Sequence, residues 1–431
     1  MFKSKSEFIK WLATQNKFSM KLHLTRIKRA CELLGNPQND YNTIHIGGTN
    51  GKGSTVNYLS RLLENSQFKV GIYISPYIIS FNERIQINHQ YISDEELVKY
   101  ANYIYPVIRQ VESELQDELT EFEVITLLTF VYFKNKKVDF AIFEVGLGGR
   151  YDATNLIKPL VCGITNISHD HVGVLGESLE EIAYEKIGIA KKNVPVFTIE
   201  EKKVVIDVFI KYCKKVNTTL IQCDKKEVKN KKISLDGMYF TYKNSEIYLP
   251  MLGYHQINNA QLALNLYEYI MRLNNLSIDY ENTRNALKKA KWSGRLEIIN
   301  KDPLVIVDGS HNIDGVKTLV DFMNFFIERG YSIHTIFAAL KDKDSLHMLE
   351  LLKSISKTLT LTSFDFYRAA SAKKLYEQTN GVNVTYNENY TEVLNNKIKK
   401  INDKELLLVT GSLYFISKVI AKINEISQKH I

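Results

Sequence analysis

The run Gly47-Gly48-Thr49-Asn50-Gly51-Lys52-Gly53-Ser54-Thr55 sets four glycines around a single lysine. Before it stands the short β-prone stretch Thr43–Ile46, and after it an apolar-periodic run, Val56, Leu59, Leu62 and Leu63. The pattern reads strand, glycine-rich turn, helix start. Such a turn lets backbone N–H groups point inward onto a phosphate, assisted by the positive end of the helix and by Lys52 as a point charge. The common phosphate-loop spacing is G-x-x-x-x-G-K-[ST]. Here the first spacer is one residue short, and Gly53 separates Lys52 from the Ser54 hydroxyl. An ordinary βα turn would not need this density of glycine.

Three further groups fall at strand ends. Ser75 closes the apolar stretch Val70–Ser75 before Pro76, Glu144 closes Val138–Val145, and His171 follows Leu160–Ile167 within His169-Asp170-His171. Ligands of open α/β sheets bind beyond the carboxyl ends of the strands. A hydroxyl, a carboxylate and an imidazole would therefore share one rim with the phosphate loop. Together with phosphate oxygens they suit Mg²⁺. Taken singly, Glu144 reads equally well as a cap or an ion-pair partner, and His171 as structural. Gly146-Leu147-Gly148-Gly149-Arg150 is not a dinucleotide fingerprint, because the third glycine of that motif would fall on Tyr151. There is no G-x-S-x-G and no zinc-ligand spacing.

The elements that must carry these groups alternate. Residues up to about 35 read as amphipathic helix. Ser93 to Glu96 forms a capping box that opens a helical pattern running to about 135. Residues 179–191 are helical and 194–198 a strand. Short alternating β runs occupy 223–250, and helices follow at 257–273 and 280–289. Trp292-Ser293-Gly294-Arg295 reads as a linker. A second α/β set has strands at 304–308, 333–338, 358–362 and 406–410. Strands alternating with helices predict a mostly parallel sheet with helices on both faces. The expected architecture is α/β: a phosphate-loop domain over 1–295 with a small antiparallel addition at about 223–250, then a Rossmann-like α/β domain over 296–431.

The chain's 431 residues are 45% hydrophobic, enough for two cores. A formal net charge of +8, with scattered lysines, favours anionic small molecules. No recognition motif accompanies it, so nucleic acid is not expected. The four cysteines form no C-x-x-C pair, and no apolar run is long enough to span a bilayer. A cytoplasmic protein without a membrane partner is expected, and a monomer.

Gly47 to Ser54, Ser75-Pro76, Phe81-Asn82-Glu83-Arg84-Ile85, Glu144 to Asn155, Asp170-His171, Glu185-Lys186-Ile187-Gly188-Ile189, His255-Gln256, Asn259-Ala260, Gly294-Arg295, Asp308 to Asn312 and Gly411-Ser412-Leu413-Tyr414 stand in this order. In that ordered set, which spans nearly the whole chain, the sequence resembles the folylpolyglutamate synthase and dihydrofolate synthase family of the Mur ligase superfamily. The resemblance implies an ATP-dependent amide ligase that phosphorylates a folate or dihydropteroate carboxylate and joins it to L-glutamate through an acyl phosphate. It implies ATP and two Mg²⁺ ions as the bound groups.

By the same resemblance Gly48, Thr49, Asn50, Gly51, Lys52, Gly53 and Ser54 bind the ATP phosphates. Asn259, Arg295 and Asp308 contact ATP from the first domain, the linker and the second domain. Ser75, Glu144, His171 and Lys186, the last as a carbamate, hold metal. Lys52, Lys186 and His311 are the catalytic candidates. Thr120, Phe122, Glu123, Tyr151, Asp152 and Ala153 match the folate- or pteroate-side pocket. Tyr77, Ser293, Ser310, Ile313 and Tyr367 depart from the common pattern without removing a charged catalytic group. Two other readings stand beside it: a Mur-type amino-acid ligase acting on a different carboxylate, and an ATP-binding switch without ligase chemistry.

Overall fold

A computed structural model describes residues 1–15, 23–379 and 381–428. Part of the N-terminal helical expectation, 16–22, lies outside them. The flanking residues form two helices, Lys5–Leu12 and Thr25–Leu33.

The chain divides into two compact units. The first comprises Met1–Asn230, Phe240–Tyr248 and Asn258–Ala290, and the second Lys231–Tyr239, Leu249–Ile257 and Lys291–Ile431. The first contains strands β1 (Asn42–Gly47), β2 (Val70–Tyr73), β3 (Ile85–Ile87), β4 (Gln90–Tyr91), β5 (Phe140–Glu144), β6 (Val161–Ile164), β7 (Val196–Thr198) and β8 (Leu220–Gln222). Among the described residues they form one sheet in the order β4-β3-β2-β5-β1-β6-β7-β8. From β2 to β8 the pairing is parallel, and the hairpin β3–β4 extends one edge antiparallel. All residues of β5 and β6 are buried, as continuous apolar strands covered on both faces should be.

The helical pattern expected to run from Ser93 to about 135 breaks in two. Gln116 turns left-handed (φ +49°) and ends Asp94–Leu115. Ser93 caps the first helix by accepting from Glu96 N, half of the expected box, while Thr120 and Glu123 form a full capping box for Glu121–Lys136. That second helix is buried from Glu123 through Phe133 and packs into an aromatic core with Phe130, Phe133, Phe143 and Tyr73. The helical stretch expected over 179–191 is an α-helix only over Leu179–Lys186 and tightens to a 3₁₀ turn at Ile187–Ile189. Helix Lys203–Val216, between β7 and β8, was not anticipated from sequence.

Strands β9 (Val228–Ser234), β10 (Gly237–Tyr242) and β11 (Ser245–Leu249) form a three-stranded sheet. Two-residue connections make it an antiparallel meander, as the alternation over 223–250 predicts.

The second unit carries β12 (Glu297–Lys301), β13 (Leu304–Asp308), β14 (Ser332–Ala338), β15 (Ser356–Thr362), β16 (Val384–Asn387) and β17 (Glu405–Gly411). Their order is β12-β13-β17-β14-β15-β16, parallel except for the edge strand β12. Its core is aliphatic, with Val305, Val307, Ile336, Leu407 and Val409 against Phe415, Ile416 and Val419 of the last helix. No helix among the described residues is long and apolar enough to cross a membrane.

Candidate active site

The phosphate loop leaves β1 at its carboxyl end and enters helix Lys52–Asn65. Two glycines make the path feasible. Gly48 has φ +129°, and a Cβ there would lie 1.9 Å from Thr165 Oγ1. Gly51, the N-cap, has φ +87°, and its Cβ would lie 2.3 Å from Asn259 Oδ1. Asn259 is therefore packed against the loop although 208 positions separate it from Gly51 (259 minus 51).

The loop is strapped to the segment that follows β6. Thr49 N donates to Asn166 O at 2.7 Å, Asn50 N to Asn166 Oδ1 at 2.8 Å, and Ser168 N to Thr49 Oγ1 at 3.0 Å. The Thr49 and Asn50 amides are thus engaged within the protein. The donors left to meet an anion are those of the first helical turn, Lys52 to Ser54, which have no intrahelical acceptor. Gly51 supplies no side-chain cap to compete for them. The arrangement is an anion seat with the helix dipole behind it.

Two lysines converge on this loop. Lys52 Nζ donates to Gly48 O at 3.2 Å and Thr49 O at 3.1 Å, and Lys186 Nζ donates to the same Gly48 O at 3.0 Å. Lys186 is 5% exposed. Burial, and then the charge of Lys52, pull its ammonium down to about 7, against smaller opposing effects of Asp170 and Asp152.

Tight backbone contacts hold Lys186 in place. Arg150 N donates to Glu185 O at 3.0 Å. A Cβ on Gly149 would lie 2.7 Å from Lys186 O, and one on Gly188 would lie 2.7 Å from Arg150 Cα. The Arg150 guanidinium lies 3.9 Å from the Tyr184 ring centroid and donates to Tyr184 O at 3.2 Å.

Neighbouring strands β2 and β5 bring Ser75 and Glu144 together. Ser75 N donates to Glu144 Oε2 at 3.3 Å, and Glu144 is 5% exposed. His171 stands on an exposed turn with φ +52°, its Nε2 3.9 Å from Asp170 Oδ2. Among the described residues no three His, Cys, Asp or Glu side chains converge as a ready metal cage. The buried Glu144 carboxylate beside Ser75, at the strand ends next to the loop, nevertheless supplies the hard oxygen donors a divalent cation takes when phosphate completes its shell.

Of the residues matched to the folate side, Thr120, Glu123 and Asp152 carry structural hydrogen bonds. Thr120 N donates to Glu123 Oε2 at 2.8 Å. Arg26, a residue the sequence did not single out, approaches the two Glu123 oxygens through Nε at 3.3 and 3.1 Å. The Phe122 ring fills the space above Gly146, where a Cβ would come within 2.5 Å of it. Asp152 Oδ2 accepts from Gly146 N (3.0 Å) and Leu147 N (2.9 Å), and Oδ1 from Thr154 N (3.0 Å). Burial raises its carboxyl above the usual range in spite of these bonds. Ala153 is buried and Tyr151 exposed. Beneath this loop Thr154 Oγ1 lies 2.8 Å from Nε2 of the fully buried His45, another residue the sequence left unmarked.

In the second unit Asp308 ends β13. Its Oδ2 accepts from Leu296 N at 2.9 Å, its Oδ1 from Ser310 N at 3.0 Å, and burial raises its carboxyl against the pull of Ser310 and Arg295. Gly309 N donates to Gly294 O at 2.8 Å, so the Arg295 segment and the Asp308 loop are tied together. His311 Nδ1 lies 2.9 Å from Gly309 O.

The profile of the Mur ligase middle domain matches residues 46–267, and that of the Mur ligase glutamate ligase domain residues 294–413. A dihydrofolate synthase/folylpolyglutamate synthase of Bacillus subtilis is 38% identical over 427 residues, covering 97% of this chain and 99% of its own. The chain belongs to the folylpolyglutamate synthase/dihydrofolate synthase family of Mur ligases.

A folylpolyglutamate synthase of Lacticaseibacillus casei is 33% identical to this family member, over 91% of this chain and 92% of its own. The structure of the Mycobacterium tuberculosis folylpolyglutamate synthase complexed with ADP superposes with a TM-score of 0.88 at 27% identity, covering 97% of each chain. A folylpolyglutamate synthase complexed with AMPPCP and folate gives 0.85 at 29% identity, over 97% of this chain and 99% of that one. In this member of the family the unusual Tyr77 has a defined place: Arg84 Cζ lies 5.2 Å from its ring centroid, and Phe81 packs on it at 5.8 Å.

Proposed function

We propose that this synthase adds L-glutamate to a folate, extending the polyglutamate tail, converting dihydropteroate to dihydrofolate, or both. The observation that carries the reading is the uncapped helix N-terminus at Gly51–Ser54 with Lys52 beside it. It is supported by likeness over nearly the whole chain to a dihydrofolate synthase/folylpolyglutamate synthase.

The chemistry asks for such a seat. A carboxylate is a poor acyl donor, and transfer of the ATP γ-phosphoryl group supplies a leaving group. The glutamate amine then attacks the acyl phosphate. Two anions must meet, so cations must screen them. Gly48 to Ser54 would hold the phosphates, with Lys52 at the transferring end. Asn259, packed on Gly51, would bear on the nucleotide. In the second unit we assign Asp308 and Arg295 to nucleotide and His311 to the reacting groups. Thr120, Phe122, Glu123, Tyr151, Asp152 and Ala153 would shape the folate side.

Ser75, Glu144, His171 and a carbamylated Lys186 would hold two Mg²⁺ ions; when bound, Mg²⁺ supplies charge screening for phosphoryl transfer. A buried lysine drawn down to about 7 has a large neutral fraction, and the neutral amine is the form that adds CO₂. The place of action we assign is the cytoplasm.

ADP release measured with dihydropteroate and with tetrahydrofolate as separate acceptors tests the function. Glutamate-dependent release with either supports it. ATP turnover indifferent to glutamate would sink it in favour of a switch.

A further inference from the structure

The second unit contains a polar cavity of about 340 Å³ between the edge of its sheet and helix Tyr390–Ile398. His334 and Thr358 pair across β14 and β15, three positions before Phe337 and Leu361, which are level with Asp308 through Thr410. The lining reaches past Tyr386, level with Leu361, to Asn387, but it sits toward the far edge of the sheet: β15 is three strands from β13 in the order β13-β17-β14-β15, about 14 Å at about 4.8 Å per strand. It is therefore separate from the loop that holds Asp308 and His311.

The wall facing the sheet is a set of hydroxyls. Thr360 and Thr385 Oγ1 atoms lie 3.2 Å apart on neighbouring strands, and Thr358 Oγ1 lies 2.8 Å from His334 Nδ1. From the helix side come two lysines. Lys397 Nζ turns inward and donates to Thr358 Oγ1 at 2.8 Å. Burial and the charge of Lys400 draw its ammonium below the ordinary lysine range.

Among the described residues no carboxylate lines the cavity. Two carboxylates stand at its margin: Glu405, 2.7 Å from Lys357 Nζ and 3.3 Å from Nε2 of the lining His334, and Glu392, which accepts from Asn387 Nδ2 at 3.3 Å. Lysines at a helix C-terminus are favoured there by the dipole alone. That would leave them extended into water, whereas Lys397 is folded onto the threonine wall at a desolvation cost.

We propose that this cavity binds a small organic phosphate, with Lys397 and Lys400 neutralising the phosphoryl group, the threonine hydroxyls donating to its oxygens, and Val393, Ile401 and Tyr386 contacting the organic part. A carboxylate is the weaker fit. Planar carboxylates are matched by the fork of arginine, and among the described residues no arginine lines the site, whereas point-charge ammonium groups and rotatable hydroxyls suit a tetrahedral oxyanion. The cavity is also larger than an inorganic phosphate needs and falls at the small end of ligand-site volumes.

The test is calorimetry on the full chain with phenyl phosphate as probe and benzoate as its carboxylate counterpart. Wild type and Lys52→Ala should both bind phenyl phosphate, inorganic phosphate should compete, and Lys397→Gln/Lys400→Gln should bind at least tenfold more weakly. Benzoate should bind at least tenfold more weakly than phenyl phosphate. Equal affinity in the double variant, no binding to wild type, or loss of binding in Lys52→Ala would overturn the site, and equal binding of benzoate would overturn the phosphate assignment. Should the double variant fail to fold, Thr385→Val on the exposed edge strand decides: a threefold or greater loss supports the site, and unchanged affinity overturns it.

Discussion

Lys186 and Lys52 donate to one carbonyl oxygen, Gly48 O, at 3.0 and 3.2 Å. Two ammonium groups drawn to one acceptor repel each other, and the buried member yields. Lys186 has lost most of its hydration, so it moves toward the neutral form. The loop carbonyl thus holds a buried amine, Lys186, that can lose its proton near neutral pH.

Replacing Lys52 by Ala should cost ligation on the order of 10²-fold or more, the usual scale for losing a group that positions a transferring phosphoryl. It should also raise the apparent pKa of Lys186 above about 7, because the second-largest cause of its depression is removed. Competitive acetylation read by mass spectrometry, in bicarbonate-free buffer, reports that pKa. An unmoved Lys186 titration would show that the two amines are not coupled, whatever the activity does.

Gly48→Ala should destabilise the fold and block the loop. The new Cβ meets Thr165 Oγ1 at 1.9 Å and Thr165 N at 3.0 Å on a backbone with φ +129°. Strain of this kind costs about 1–3 kcal/mol. Adding Thr165→Ala removes the hydroxyl clash but neither the backbone contact nor the φ strain, so recovery in urea denaturation should be partial. Full recovery would mean that the φ value carries no cost.

Arg150 is a positioning residue for Lys186 on this geometry. Arg150→Ala should lower turnover about tenfold and raise the bicarbonate concentration needed for full activity, since the segment from Tyr184 to Gly188 loses its clamp. Arg150→Lys should not restore it, because an ammonium cannot both lie flat on the Tyr184 ring at 3.9 Å and donate to Tyr184 O. A variant with reduced turnover but an unchanged bicarbonate requirement would leave Arg150 a merely structural role.

The phosphate loop was legible in sequence because its signal is local: glycine spacing, one lysine and a following apolar period. Strands β13 and β5 were equally plain, as buried apolar runs. What escaped has physical causes. Strand β4 has two residues, too few for any period, and β12 reads Glu-Ile-Ile-Asn-Lys, half-exposed and without alternation. The contacts that fix the loop join residues far apart in the chain: Asn50 with Asn166 across 116 positions, and Arg26 with Glu123 across 97. Neither asparagine nor arginine advertises such a partner in a single sequence. The break at Gln116 was hidden because neither glycine nor proline marks residues 116–120, and the second helix, buried on every side from Glu123 to Phe133, has no apolar stripe of its own to show a change of phase.

His45 gives the acid limb of stability a testable source. It is fully buried against Thr154, and burial, then the charge of Lys191, pull its imidazole from 6.5 down to about 3. The folded pKa lies below the unfolded one, so above pH 6.5 His45 is neutral in both states and adds no pH dependence. Between 6.5 and about 3 the unfolded chain takes up a proton that the folded protein refuses, and stability falls as the pH falls. One such proton contributes a slope of about 1.4 kcal/mol per pH unit. His45→Gln keeps a polar group facing Thr154 but cannot titrate. In urea denaturation at a series of pH values, the stability difference between wild type and variant should therefore be constant above 6.5 and shift by about that slope, in the variant's favour, as the pH drops to 5. Parallel curves for the two proteins across this range would show that His45 takes up its proton in the folded state as readily as in the unfolded one.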